Sequence, residues 1–345
     1  MKNIIRKEKI GNVSIFRFYT PEHHNKFLLQ IFCYCFFFVQ VLYYSVKLSK
    51  KFDIIFSTSS RLGTGFIGYS LSKILNRKYA LDIRDIFSDS LKSLKFSRSI
   101  LGKVIVLFFE KIESLICRNA DWLNFVSPGF MKYSHVVEFR KDINLYTNGI
   151  DELFLDNKIV QPNSFNKPLK ITYAGNIGYG QGLEKTVIHF AQHFKDKIFF
   201  QLIGDGSSVN LIKEEIKRYK VQNIKILKPL KRNLLLKIYD ESDILFLQLN
   251  NIKAFENVLP SKIFDYGAYN KPILAGVNGT AKDFLKNNLK CAYIYNPGDY
   301  KQGIQRVNEI LKDEGIKINN EKFIKKYCRV RIMREMADSI YKKLS

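Results

Sequence analysis

Residues 169–194 read LKITYAGNIGYGQGLEKTVIHFAQHF, and this stretch decides the fold. An apolar run leads into a loop with four glycines in residues 175–182, and a helical pattern of apolar residues follows. A buried strand, a glycine-rich turn and a helix are the parts of a βαβ unit. Such a loop lets backbone N–H groups approach a phosphate at a helix N-terminus. A tight structural turn between strand and helix is the alternative.

The same alternation of strand and helix runs along most of the chain and predicts parallel sheets. The polar, irregular segment Gly149–Lys167 separates two such series, which indicates a linker between two domains. Ligands of such sheets bind at the carboxyl ends of the strands, here in a cleft between the two lobes. The predicted divisions are an N-terminal lobe over 1–155, a linker over 156–168, a C-terminal lobe over 169–319 and a C-terminal helix over 320–345.

Composition narrows the class of partner. The 345 residues include 56 Lys and Arg against 32 Asp and Glu, a net charge of +24. This excess favours polyanionic partners such as nucleic acid, anionic lipid headgroups or phosphorylated small molecules. The basic residues are spread along the chain and form no basic helix interleaved with aromatics, so we expect no nucleic acid partner. Five cysteines without a CxxC pair are typical of a reducing compartment.

Residues 27–46, FLLQIFCYCFFFVQVLYYSV, form an apolar stretch without a charge that predicts a helix over 27–48. On a helical projection, one arc of roughly 100° carries weakly polar side chains. These are Gln30, Cys33, Gln40, Tyr44 and Lys47. Such a helix, ending in KLSKK, suits a bilayer interface or a docking surface. A core helix and a transmembrane span remain open as alternatives.

A second informative stretch is FENVLPSKIFDYGAYNKPILAG, residues 255–276. A short helix begins at Pro-Ser-Lys and carries one acid, Asp265, before an apolar strand that ends at Gly276. A helix with this start can hold a polar ligand at its N-terminus. An ordinary helix–strand unit of a packed sheet, without a ligand, would have the same sequence pattern.

Several stretches together resemble the GT4 family of retaining glycosyltransferases, and the bacterial surface-polysaccharide members of the colanic-acid and O-antigen type are the most similar. They are FDIIFSTSSRLGTGFIGYSLSKI, YALDIRDIFSDSL, LYTNGID, ITYAGNIGYGQGLE, IGDGS and LPSKIFDYGAYNKPILAG. The resemblance runs in family order from about Phe52 to Gly298. It implies an α/β protein with the GT-B fold, two Rossmann-like lobes around a cleft. Relatives begin with one more βα unit, so we expect an incomplete N-terminal lobe.

On the donor side, the resemblance implies that the C-terminal lobe binds a nucleotide sugar. The residues concerned are Gly175, Gly178, Lys231, Ser261, Lys262 and Asp265. Gly178 would lie beside the diphosphate, and Lys262 would neutralise phosphate charge. Asp265 stands where the family has a glutamate that hydrogen-bonds the ribose; the family's first glutamate falls on Asn257, with Glu256 adjacent. A solvated helix carboxylate and a surface lysine are the alternatives for Asp265 and Lys262.

On the acceptor side, Arg84 and Asp85 end a strand in DIRDIF at the rim of the cleft. Relatives read Arg-Asp-Leu-Trp-Pro here, and Phe87 and Ser88 depart from that pattern. Asp85 could orient or deprotonate an acceptor hydroxyl. A structural Arg–Asp pair is the alternative.

The resemblance therefore implies a retaining transfer of a sugar from a UDP- or GDP-sugar to a lipid-linked saccharide, at the cytoplasmic face of the cell membrane, for surface polysaccharide synthesis. We expect no cofactor and no metal, because no Asp-x-Asp pair occurs and the His189–His193 pair lacks an HExxH pattern. Two alternatives stay open. The first is a truncated, catalytically inactive, membrane-associated protein of the same fold. The second is a nucleotide-sugar epimerase, which would need more cleft acids and histidines than Asp85 offers.

Overall fold

The computed structural model describes residues 7–21, 27–138, 140, 142–155, 165, 167–313 and 318–344. Its strands, in chain order, are β1 Lys7–Ile10, β2 Val13–Phe16, β3 Ile54–Ser59, β4 Lys78–Ile83, β5 Trp122–Phe125, β6 Ile143–Asn144, β7 Leu169–Ala174, β8 Ile198–Ile203, β9 Ile224–Leu227, β10 Ile244–Gln248, β11 Ile273–Gly276 and β12 Ala292–Tyr295.

Helices connect most of these strands. They are α1 Phe27–Leu48, α2 Leu62–Leu75, α3 Phe87–Lys92, α4 Ile100–Arg118, α5 Ser134–Val137, α6 Val187–Phe194, α7 Val209–Arg218, α8 Arg232–Glu241, α9 Lys262–Gly267, α10 Gly279–Asn288, α11 Tyr300–Lys312, α12 Glu321–Lys326 and α13 Arg329–Leu344.

The C-terminal lobe is a six-stranded sheet in the order β12-β11-β10-β7-β8-β9, and every pair in it is parallel. This is the doubly wound order, in which the chain reverses its direction of winding between β7 and β10. The central strands are buried almost throughout, as expected where helices cover both faces of a parallel sheet. One apolar cluster lies on each face of this sheet.

The N-terminal lobe has a smaller parallel sheet in the order β3-β4-β5-β6. Its core lies between the sheet and the helices α2 and α4, and is centred on Leu81, Ile116 and Phe125. Strand β2 pairs antiparallel with β1 in a separate hairpin and does not join this sheet. The prediction of an α/β protein with two Rossmann-like lobes is confirmed; the expected loss of a first βα unit stays a prediction.

The C-terminal segment ties the lobes together. The sequence predicts one helix over 320–345; the structure has α12 and α13, with a bridge between Ile150 and Cys328 at the break. From there α13 crosses to the N-terminal lobe, where Met336 packs against Ala80 and Trp122. The indole Nε1 of Trp122 also donates a hydrogen bond to the Ser339 hydroxyl at 3.0 Å. Most of the predicted linker, residues 156–164 and 166, lies outside the described part of the chain.

Two residues of the weakly polar stripe of α1, Cys33 and Gln40, contact the segment before the helix, whereas Tyr44 and Lys47 of the same stripe are exposed. Gln40 donates to the carbonyl of Tyr19 at 2.9 Å, and the Cys33 thiol lies 3.2 Å from the carbonyl oxygen of Pro21. Its apolar residues point outwards, with Phe32, Val39 and Tyr43 each about 60% exposed. The core-helix alternative is therefore wrong. Within the described residues, the window Phe32–Lys51 is long and apolar enough to cross a membrane, a criterion of length and composition alone.

The packing of α13 on the N-terminal lobe predicts that Met336 contributes to stability. Its side chain is 5% exposed, so Met336→Ala should leave a cavity and lower the free energy of unfolding by about 2–4 kcal/mol. Met333, on the same helix and 36% exposed, provides the matched control, and Met333→Ala should change stability by less than about 1 kcal/mol. Thermal melting of both variants measures the difference. Equal effects would mean that α13 does not pack on the N-terminal lobe.

Candidate active site

The carboxyl ends of β7 and β10 meet where the winding of the C-terminal sheet reverses, and polar loops follow both strands. The loop Gly175–Gly182 follows β7 and leads through a short 3-10 turn into α6. Asn250, just after β10, donates from its side-chain amide to the carbonyl of Tyr179 at 2.8 Å and so holds this loop. Crevices at such a reversal are the usual ligand sites of doubly wound sheets. The structure therefore places the predicted glycine loop at the mouth of the cleft.

Gly175 lies directly against a lysine of another element. Its φ of +149° is a conformation that side chains rarely adopt, and a Cβ there would collide with the Lys262 ammonium. Lys262 begins α9, and its Nζ also sits 5.4 Å from the centre of the Tyr173 ring. Glycine at 175 thus makes room for a cation over the loop, which is the arrangement a diphosphate needs.

Backbone amides of the loop are held by side chains that a ligand can displace. The Gly178 N–H donates to the Gln181 side-chain oxygen at 3.2 Å, and the Asn176 side-chain amide donates to the same oxygen at 3.2 Å. The Tyr179 N–H donates to the Ser207 hydroxyl at 3.3 Å. The structure brings Gly175 against Lys262, and Gly178 lies three residues further along the same loop.

Asp265 lies one turn after Lys262 on α9, so the two side chains share a helix face. Burial raises the pKa of Asp265 to about 6, and nearby Arg329, Arg232 and Lys262 partly oppose that rise. Burial likewise lowers the pKa of Lys262, while Asp265 raises it. Both side chains are half-buried, so neither is fully exposed on the surface. Ser261, at the start of α9, is exposed, and its side chain makes no capping hydrogen bond.

Asp151 holds two arginines beside Asp265. It forms ion pairs with Arg232, at the start of α8, and with Arg329, at the start of α13, the latter at 3.0 Å. Arg329 also donates to the carbonyl of Gly149 at 3.1 Å. Asp151 and Arg329 are 178 positions apart in the chain, and neither was predicted as a site residue. Lys231, which was predicted, is exposed, and its neighbour Arg232 makes the contact in this cluster.

On the acceptor side, Arg84 pairs with Asp82 and not with Asp85. Its Nε lies 2.9 Å from the Asp82 carboxylate, and another guanidinium nitrogen donates to the Asn148 side chain at 3.1 Å. Asp82 is 1% exposed and accepts a further hydrogen bond from Asn124 at 2.7 Å. A structural Arg–Asp pair thus exists, with a different aspartate from the one the alternative named. Arg84 borders the cleft but is held by the N-terminal lobe.

Asp85 is exposed and takes no part in that pair. Desolvation by the surrounding protein raises the pKa of Asp85 to about 6. The hydrogen bond from the backbone amide of Ile86 opposes this rise, and the negative charges of Glu113 and Asp89 add to it. Two acidic neighbours and partial burial are the conditions that adjust a carboxylate for proton transfer near neutral pH.

Asn257 bridges the lobes at the position where the family carries its first glutamate. Its side-chain amide donates to the Tyr133 hydroxyl at 2.9 Å, and its carbonyl accepts from the Ser127 hydroxyl at 2.6 Å. Tyr133 in turn donates to Asp89, four residues after Asp85. The first acid is therefore replaced by an interlobe contact whose partners belong to the N-terminal lobe.

Other candidate sites carry little chemistry. His189 stacks on Tyr300 with 4.0 Å between ring centres, and His193 packs edge-on against Phe194. Within the described ranges, no three His, Cys, Asp or Glu side chains group as metal ligands. A cavity of about 630 Å³ lies by Pro168, Tyr219 and Asn223, at the amino ends of the strands and away from the cleft.

Some of the signals for the unpredicted residues were present in the sequence. Asn148 and Asp151 fall within or beside LYTNGID, one of the matching stretches, so that motif pointed to them. Arg329 lies within the predicted helix 320–345 and belongs to no motif; the break between α12 and α13, where Ile150 bridges to Cys328, brings it there.

Comparisons with known proteins agree with this geometry. The family model described as Glycosyl transferases group 1 matches residues 156–329, just over half of the chain. Sucrose-phosphate synthase from Thermosynechococcus elongatus superposes with a TM-score of 0.79 at 13% identity, covering 99% of this chain and 86% of that one. Anabaena Alr3699/HepE in complex with UDP and glucose superposes with a TM-score of 0.67 at 14% identity, covering 88% of this chain and 81% of that one.

The lipopolysaccharide outer core galactosyltransferase WaaB, in its apo form, gives a TM-score of 0.62 at 15% identity and covers 92% of this chain and 82% of that one. At these identities the likeness shows the fold. No curated protein sequence matches the chain significantly.

The raised pKa of Asp265 predicts a pH-dependent cost to stability. Because the folded protein disfavours the ionised carboxylate, Asp265→Asn should be more stable than the wild type at pH 8, by up to about 3 kcal/mol. The difference should shrink as pH falls through about 6, where the wild-type carboxyl takes up its proton. Denaturant titrations across this range measure it, with the exposed Asp196→Asn as control. A constant difference at all pH values would contradict the assignment.

Proposed function

Because the chain belongs to the glycosyl transferases group 1 family and is a glycosyltransferase, we propose that it transfers a sugar from a UDP- or GDP-sugar to a lipid-linked saccharide. The transfer proceeds with retention of configuration and serves the synthesis of a cell-surface polysaccharide, as in the colanic-acid and O-antigen branch of GT4. One observation carries the donor assignment. The desolvated Lys262 ammonium lies over the Gly175 loop, one helical turn from the buried Asp265.

The donor's diphosphate sits on the loop Gly175–Gly182, where Lys262 and the amides of Gly178 and Tyr179 face its negative charge. The Asp265 carboxylate accepts a hydrogen bond from a ribose hydroxyl. In the reaction, the bond from the anomeric carbon to the diphosphate oxygen breaks as the acceptor oxygen attacks that carbon from the same side, and the proton of the acceptor hydroxyl passes to the Asp85 carboxylate. Charge develops on the diphosphate, so preorganised donors and the ammonium stabilise the transition state more than the ground state. We propose that no metal ion is required, since Lys262 and these amides supply the positive charge.

Asp85 acts on the acceptor. Its carboxylate is held by neither Arg84 nor Asp82, faces the cleft and accepts the hydrogen bond of the attacking hydroxyl. The ion pair between Arg84 and Asp82 fixes the strand end from which Asp85 projects. Arg84 is therefore a positioning residue in this proposal.

A membrane location explains the outward apolar face of α1. Phe32, Val39 and Tyr43 point away from the protein, and Lys50 and Lys51 follow the helix. An apolar face that ends in lysines suits the interface of an anionic bilayer. We place the enzyme on the cytoplasmic membrane surface, where a lipid-linked acceptor is accessible.

Nucleotide binding tests the donor site. The UDP complex of the Anabaena relative makes UDP the first probe, and GDP is the second. Lys262→Met should weaken binding of the preferred nucleotide by about 1–3 kcal/mol, because a charge-assisted contact to phosphate is lost. Titration calorimetry measures the affinity, and the exposed lysine variant Lys286→Met should bind like the wild type. If the wild type binds neither nucleotide, the proposed function fails.

The pKa of Asp85 predicts a pH profile for turnover. Release of nucleotide from the preferred nucleotide sugar should fall as pH drops through about 6, because a protonated carboxyl cannot accept the acceptor's hydrogen bond. Asp85→Asn should reduce this release about a hundredfold or more and remove the acidic limb of the profile. Its nucleotide affinity should stay at the wild-type value. An unchanged rate in Asp85→Asn would exclude the residue from the reaction.

A further inference from the structure

Helix α4 exposes a row of large apolar side chains along its first half. Their exposed fractions are 84% for Ile100, 70% for Leu101, 57% for Val104, 55% for Leu107 and 58% for Phe108. At this spacing they occupy one side of a helix. Isolated exposed apolar residues are ordinary, whereas a contiguous patch marks an interaction surface.

The orientation of α4 is fixed by its other side. Val106, Ile116 and Cys117 are buried in the N-terminal core. Glu113 is also buried, and it accepts hydrogen bonds from the backbone N–H and the hydroxyl of Ser88 at 3.1 and 2.5 Å. Rotation of the helix to hide the apolar row would break these contacts. The row therefore stays exposed unless something covers it from outside.

The charges around the row are basic. Lys103 and Lys111 are exposed on the same side of α4 as the apolar side chains. The segment 87–118 has three acids, and all of them are engaged elsewhere. Asp89 accepts a hydrogen bond from Tyr133, Glu110 pairs with Lys92 at 2.5 Å, and Glu113 is held by Ser88. An apolar row with lysines beside it complements an anionic lipid surface.

A groove beside the row offers a place for a lipid phosphate. It has a volume of about 490 Å³, and its walls include Lys92, Lys103, Glu110, Ser97 and Leu107. Lys92 is paired with Glu110, so the Lys103 ammonium, a hydroxyl and an apolar edge are the groups that a phospholipid headgroup and the start of its acyl chain would contact.

Helices α4 and α1 both pack on α2. Helix α2 lies between the two, since Gly63 of α2 contacts Tyr34 of α1 and Gly65 of α2 contacts Ile116 of α4. Phe66 of α2 is 40% exposed between them. The three helices thus form one layer of the N-terminal lobe.

We propose that this face of α4 docks on an anionic phospholipid bilayer, as a second contact in addition to α1. The inference rests on the membrane location given under the proposed function. Two separated contacts fix the orientation of the protein, which a single interfacial helix does not. Helix α3 packs on α4 and follows Asp85 after one residue, so the bilayer lies on the acceptor side of the cleft.

Vesicle flotation of the full chain tests the proposal. Vesicles of phosphatidylcholine alone are compared with vesicles of equal parts phosphatidylcholine and phosphatidylglycerol. The double variant Leu101→Glu, Leu107→Glu should bind the anionic vesicles about tenfold more weakly or worse than the wild type. The control, Leu211→Glu with Leu234→Glu, makes the same charge change at 44% exposed leucines of the C-terminal lobe and should bind like the wild type.

Equal vesicle binding by the two double variants would overturn the proposal. Lys103→Glu with Lys111→Glu should abolish the preference for phosphatidylglycerol, and a preserved preference would also overturn it. Nucleotide titration on the same samples separates this proposal from the proposed function. Vesicle binding can be lost while nucleotide binding is kept, and nucleotide binding can be lost while vesicle binding is kept. Melting temperatures at the wild-type value establish that the exposed substitutions leave the fold intact.

A fluorescent probe gives a second readout. Trp122 is the chain's one tryptophan and is 2% exposed, so its emission should stay constant. Leu107→Trp keeps an apolar residue in the row; its emission should shift to shorter wavelength with anionic vesicles and be quenched by brominated lipid. Unshifted, unquenched emission would overturn the proposal. The proposal would also be overturned if light scattering showed a dimer that buries the row and the protein did not bind vesicles.

Discussion

The site depends on one carboxylate, Asp265, that the fold keeps poorly hydrated among three cations. Burial disfavours its charge, while Lys262, Arg232 and Arg329 oppose that effect only in part. A group in this balance is costly in the empty protein and ready to accept a hydrogen bond from a ligand hydroxyl. The same desolvation acts on Lys262, whose ammonium lies over Gly175. The donor site is thus organised before any ligand arrives.

That organisation depends on contacts between the lobes. Asp151, from the end of the N-terminal lobe, holds both arginines that flank Asp265. Asn257 and Ser127 link the donor side to the helix region around Tyr133 and Asp89, near Asp85. Helix α13 adds the third link through Trp122 and Met336. A change in the angle between the lobes would therefore alter the donor and acceptor sides together.

Two helices of the N-terminal lobe, α1 and α4, expose apolar side chains. In α1 the apolar Phe32, Val39 and Tyr43 are about 60% exposed, whereas the weakly polar Cys33 and Gln40 contact the preceding segment. In α4 the exposed half is apolar at its start and flanked by lysines. Both features are explained if this lobe works against a lipid surface, which is also where a lipid-linked acceptor would be found.

The sequence by itself determined the fold class and located a glycine-rich loop after β7. Alternating strands and helices require parallel sheets, and the four glycines within residues 175–182 mark a turn at which a phosphate can approach backbone amides. These signals are local, so they can be seen in a single chain segment. Gly175, Gly178, Lys262 and Asp265 were predicted from the family resemblance, and the structure places Gly175 against Lys262, one turn from Asp265 on α9.

Only the tertiary structure decided the partners of those residues. Arg84 pairs with Asp82, two residues back, because both side chains project from one face of a strand end; the neighbouring Asp85 points to the cleft. Arg329 reaches Asp151 across 178 positions, and Asn257 reaches Tyr133 across 124. Sequence patterns encode which faces are buried, but the pairing of distant polar groups depends on how two lobes dock. That docking is set by the return of α13, and no local pattern specifies it.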